Sequence, residues 1–99
     1  MTSRSRAKGN TFERELVDQA KSHGMPARRA WGSDGRSMGL PEGVDCDIAG
    51  CLVQAKRRRQ LPQWLQIPEG ADCVALREDR GETYVLMRWD EWLKLIWRE

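Results

Sequence analysis

Four side chains between residues 43 and 59 (GVDCDIAGCLVQAKRRR) have the types and spacing that chemistry on a phosphate would need: Asp45, Asp47, Gln54 and Lys56. Apolar residues on either side of Gly50-Cys51 predict a β-hairpin with a two-residue type II′ turn. That register sets Asp47 opposite Gln54 and Asp45 opposite Lys56. Side chains alternate across a strand, so Cys46, Ile48, Val53 and Ala55 form one face, small and apolar. Asp45, Asp47, Gln54 and Lys56 form the other. Carboxylate and amide oxygens suit a hard cation such as Mg²⁺, and a nearby ammonium suits charge developing on a phosphate. A solvated hairpin face with cross-strand ion pairs is the plainer reading of the same residues. The basic run Lys56, Arg57, Arg58 and Arg59 favours the phosphate reading.

The elements that must position this hairpin can be read along the chain. Residues 1–9 are polar and basic and predict a mobile arm, with Arg4, Arg6 and Lys8 as phosphate contacts. Asn10 caps a predicted helix over 10–23, whose apolar stripe is Phe12, Leu16, Val17 and Ala20. Glu13 shares the edge of that stripe. It fits a capping box, Asn10-x-x-Glu13, and equally a carboxylate delivered to an active site. A first strand over 27–31 leads into a Gly/Ser loop with Ser33 and Arg36. Beyond the hairpin come a helix of at most two turns near 61–67, strands over 72–77 and 83–87, and an amphipathic helix over 90–97. The order is α-β-β-β-α-β-β-α, an α/β or α+β domain with a mixed sheet.

Ninety-nine residues bound one small domain, 1–99. The formal net charge is only +2, but Lys and Arg crowd the first part of the chain, which points to one basic face. Three cysteines without CxxC spacing argue against a disulfide framework and a zinc site. A single histidine, His23, excludes most serine and cysteine triads. No secretory signal or long apolar run is present, so the default expectation is a cytoplasmic protein with no membrane partner.

The order of these pieces resembles the PD-(D/E)XK nuclease superfamily, and within it the archaeal-type Holliday junction resolvases. The carrying residues are Lys8-Gly9 with Phe12-Glu13-Arg14-Glu15-Leu16, then Gly32-Ser33, Asp47-Ile48-Ala49 and Gln54-Ala55-Lys56. The closing stretches DCVALRED, TYVLM and DEWLKLI extend the similarity over nearly the whole chain. The resemblance implies a minimal restriction-endonuclease-like fold, a mixed central sheet flanked by helices. It implies Mg²⁺ or Mn²⁺ held by Asp47, Gln54 and the Ala55 carbonyl, with Glu13 completing the shell, Lys56 acting on the phosphorus charge and Ser33 near the scissile phosphate. Asp45 is a rival ligand, since it shares the hairpin face. Gln54 stands where the family carries Glu, which removes one anionic donor but keeps an oxygen. The implied activity is metal-dependent resolution of four-way DNA junctions by a homodimer. Arg4, Arg6, Lys8, Arg14, Arg28, Arg29, Arg36, Arg57, Arg58 and Arg59 form the pool for phosphate contacts, and Trp64, Trp89, Trp92 and Trp97 the pool for a dimer interface. A nuclease for duplex or single-stranded DNA, or a non-catalytic DNA-binding scaffold, shares the same sequence features.

Overall fold

The computed structural model describes residues 2–30 and 41–98. The chain divides into two compact units, Met1–Arg57 and Arg58–Glu99.

The first unit is a helix on a three-stranded antiparallel sheet. Helix α1 spans Thr2–Ser22, and strands β1 (Ala27–Arg29), β2 (Cys46–Ile48) and β3 (Cys51–Val53) follow in the spatial order β1-β2-β3. Leu16, Val17 and Ala20 of α1 are buried, as expected from their spacing, together with Met25, Ala30, Cys46 and Ile48. The helix closes in a Schellman pattern, with Gly24 N–H on Lys21 O (2.9 Å) and Met25 N–H on Ala20 O (3.4 Å).

Its start differs from the expectation. The residues expected as a mobile arm are the first turns of α1, because Arg4, Arg6, Ala7 and Lys8 are good helix formers. They outweigh Gly9 and Asn10, which each cost roughly 0.5–1 kcal/mol in a helix interior. Asn10 is therefore no cap, and Glu13 sits mid-helix, so the capping-box reading of Asn10-x-x-Glu13 does not hold.

The hairpin forms, with its turn one residue earlier than expected. Ala49 and Gly50 are the central residues, both at positive φ (51° and 91°), which makes a type I′ turn. Asp47 Oδ1 accepts the Gly50 N–H at 2.9 Å, and Ala49 N–H donates to Pro26 O at 2.8 Å. These two bonds select the earlier turn. The register becomes Ile48 opposite Cys51, Asp47 opposite Leu52 and Cys46 opposite Val53. Partners move by two positions, so the strand faces keep their composition. Ala49 carries the strain of a left-handed conformation, whereas Asn-Gly is the favoured pair for this turn. Ala49→Asn is expected to stabilise the first unit by about 0.5–1 kcal/mol, seen as a higher urea midpoint at unchanged m-value.

The second unit holds a one-turn 3-10 helix at Gln63–Leu65, in place of the expected short helix, and an antiparallel pair of strands, β4 (Cys73–Leu76) and β5 (Tyr84–Met87). Helix α2 (Trp89–Ile96) closes the chain, burying Leu93 and bringing the Trp89 and Trp92 rings to 5.0 Å. The class is α+β. Among the described residues the strands form two antiparallel sheets rather than the expected mixed one, because a two-residue turn joins β2 to β3 and only residues 77–83 join β4 to β5, too short for the crossover that parallel pairing needs.

Candidate active site on the β2–β3 hairpin

Asp45 lies just before β2 and is tied to β3 at two points. Its N–H donates to Val53 O (2.8 Å), and its carboxylate Oδ2 accepts the Ala55 N–H (2.7 Å). The two bonds fall on the residues either side of Gln54, which fixes Asp45 beside the Gln54-Ala55-Lys56 segment. The Asp45 carbonyl also accepts the N–H of Ala30, the residue just after β1 (2.7 Å), so the same residue is held from the other edge. Gln54 folds toward the turn at Gly43, where a Cβ would lie 3.4 Å from Gln54 Nε2 and where φ is +90°. Any side chain at position 43 would be strained by that φ and would touch Gln54. Lys56 is exposed.

Asp47 is differently employed. Besides the Gly50 N–H on Oδ1, its Oδ2 lies 3.4 Å from Arg28 Nε and 3.3 Å from Arg28 Nη2. It is a turn-holding residue with a cation partner, on the rim of a shallow 240 Å³ cleft lined by Pro26, Ala27, Arg28, Ala49 and Gly50. Its cross-strand neighbour is Leu52, not Gln54.

Glu13 is buried, 5% exposed, with its Oε1 3.6 Å from Arg29 Nε. On β1, Arg28 is opposite Asp47 and Arg29 opposite Cys46. Neighbouring residues of a strand point to opposite faces, so Glu13 and Asp47 lie on opposite sides of the sheet. The structure does not bring these two expected metal ligands together. What Glu13 and Asp45 share is a charge effect on one neighbour. Both act on the buried Cys46 thiol, whose pKa is pushed up to about 11, by burial first, then by the negative charges of Glu13 and Asp45, with Arg29 opposing.

That shift has a measurable side. The folded chain holds Cys46 as a thiol at pH values where an ordinary cysteine ionises, so this contribution to stability is intact below 9.0 and is lost as pH rises through about 11. Iodoacetamide at pH 8 is expected to label Cys73, which is exposed, and the half-buried Cys51, while Cys46 reacts only after unfolding. Mass spectrometry of the native and urea-unfolded chain checks this.

The donors that are fixed together are thus the Asp45 carboxylate and the Gln54-Ala55 segment, with Glu13 paired to Arg29 on the Cys46 side of the sheet. Among the described residues no three His, Cys, Asp or Glu side chains form a metal-holding group. One carboxylate with neutral oxygens still fits Mg²⁺, which is commonly bound through one or two carboxylates and keeps several waters.

The expected basic contacts divide. Arg14, Arg57, Arg58 and Arg59 are exposed, and Lys8 is half-buried. Arg28 is exposed but paired with Asp47, and Arg29 is turned inward to Glu13 and to Asn10 Oδ1, 3.4 Å from its Nη2. Ser33, Arg36 and the side chains of Arg4 and Arg6 lie outside the described residues. The inward role of Arg29 was not anticipated. The signal was there in Arg28-Arg29, two consecutive arginines on one strand, of which alternation must send one to the helix side.

No protein-family model matches the chain, and neither the curated proteins nor the solved structures contain a match. Among the described residues no helix is long and apolar enough to cross a membrane.

Proposed function

We propose that the chain is a metal-dependent, structure-selective DNA endonuclease that resolves four-way junctions by paired phosphodiester hydrolysis, acting as a homodimer. The observation that carries this reading is the Asp45 carboxylate bonded to the Ala55 N–H within the Gln54-Ala55-Lys56 segment, followed directly by three exposed arginines. In this reading Asp45, rather than Asp47, is the principal acidic ligand, with the Gln54 amide and Ala55 carbonyl as neutral donors and Glu13 reaching in from α1. Mg²⁺ or Mn²⁺ bound there supplies an acidified water and shields the phosphodiester charge. Lys56, two residues beyond Gln54, places its ammonium against the charge that develops on phosphorus. Arg57, Arg58 and Arg59 hold flanking phosphates, so selectivity comes from the shape of the junction rather than from base edges.

The test is incubation of the full chain with a synthetic four-way junction, a linear duplex and a single strand of matching sequence, with Mg²⁺, with Mn²⁺ and with EDTA. Symmetric nicks in the junction alone, abolished by EDTA, are expected. Equal cutting of all three substrates would replace the junction reading with a general nuclease. Tight binding with no cutting under any metal would favour a non-catalytic DNA-binding scaffold, for which the amide at Gln54 is the motivating feature. Binding is also expected to weaken steeply with salt, the slope of log K against log salt being roughly −0.9 for each phosphate neutralised. A flat salt response would remove the basic segment from the account.

A further inference from the structure

Among the described residues, Arg29 is an arginine whose guanidinium links β1 to α1 through the buried Glu13 carboxylate. It sits on β1 opposite Cys46, and the ladder to β2 holds its backbone in place. Its Nη2 lies 3.4 Å from Asn10 Oδ1 and its Nε 3.6 Å from Glu13 Oε1. Asn10 and Glu13 are three residues apart, hence neighbours on one face of α1. One planar fork therefore reaches two successive turns of the helix. The Nε is buried and makes no hydrogen bond, so the ion pair with Glu13 is what compensates it. With its side chain only 24% exposed, Arg29 is poorly placed for DNA.

We infer that Arg29 is a positioning residue: it straps α1 to β1 and thereby sets where the Glu13 carboxylate stands against the sheet. This deepens, and for its activity readout rests on, the nuclease reading. A guanidinium can hold both acceptors in fixed directions, whereas a lysine ammonium reaches one of them as a point charge. The inference also explains Asn10, a poor residue for a helix interior, as the second anchor of the strap.

The experiment compares the full chain with Arg29→Lys, Arg29→Ala, Glu13→Ala and the Arg29→Ala/Glu13→Ala pair. Single-turnover junction cleavage is expected to fall about tenfold for Arg29→Lys and about a hundredfold for Arg29→Ala, the range seen when a residue orienting a metal ligand is lost. Junction affinity measured in Ca²⁺ stays unchanged in both. Mn²⁺ binding, read from water-proton relaxation, weakens in the same order as cleavage. In urea unfolding the midpoint shift of the double variant equals the larger single shift rather than the sum. A loss of junction affinity parallel to the loss of cleavage would make Arg29 a phosphate contact and overturn the inference. Additive midpoint shifts would overturn it as well. If the wild-type chain neither cuts DNA nor binds Mn²⁺, the nuclease reading fails, while the non-additive midpoints still decide whether the strap exists.

Discussion

Asp45→Asn is expected to lower the rate of the proposed junction cleavage by about a thousandfold, the upper end of what loss of one charge-stabilising group costs at an active site. Asparagine keeps an oxygen for the Ala55 N–H, so the hairpin stays closed and the loss reports the missing charge. Asp47→Asn leaves cleavage within about tenfold, since the amide oxygen still accepts the Gly50 N–H and only the partly exposed pair with Arg28 is weakened. Single-turnover kinetics at saturating Mg²⁺ separate the two variants. If Asp47→Asn alone abolished cutting, the assignment of the metal-binding carboxylate would revert to Asp47, and the opposite-face geometry would have misled.

The second large effect is on stability. Ile48 is fully buried in the central strand of the first unit, and Ile48→Ala is expected to cost about 2–5 kcal/mol. Set against the roughly 5–15 kcal/mol typical of a whole domain, that is a large part of the total. A core as small as Leu16, Val17, Ala20, Met25, Ala30, Cys46 and Ile48 has little to spare. Leu52 is the internal control. It is 49% exposed on the opposite face of the same hairpin, and Leu52→Ala is expected to stay within about 0.5 kcal/mol. Urea unfolding followed by far-ultraviolet circular dichroism checks both. Equal losses in the two variants would mean that the two hairpin faces are not distinct.

The two faces were legible in the sequence because period-two alternation depends only on parity. An error of one residue in the turn moved the partners by two and left Cys46 and Ile48 inside. The turn itself was not legible, since Ala49 breaks the rule that reserves positive φ for Gly, Asn or Asp, and side-chain and backbone bonds from Asp47 and Pro26 hold it there. The choice between Asp45 and Asp47 was beyond pattern reading for the same reason that the faces were within it. Residues two apart on a strand look alike to periodicity, and only their hydrogen bonds distinguish them. The helix start failed through a conflict of local signals, in which Asn10-x-x-Glu13 imitates a cap while the basic residues before it continue the helix. Nothing local announces that Asn10 is spent on Arg29.

The bond from Asp47 to the Gly50 N–H has a kinetic corollary. It closes a two-residue turn between strands that are contiguous in sequence, the sort of contact that forms in about 1–10 microseconds. Asp45 and Gln54 then meet early, before any long-range packing is complete. Glu13 belongs to a helix on the far side of β1 in sequence, and it arrives only when α1 docks, a step that must close a much longer loop. The pairing of Asp45 with the Gln54-Ala55 segment thus precedes the arrival of Glu13 in the order of folding.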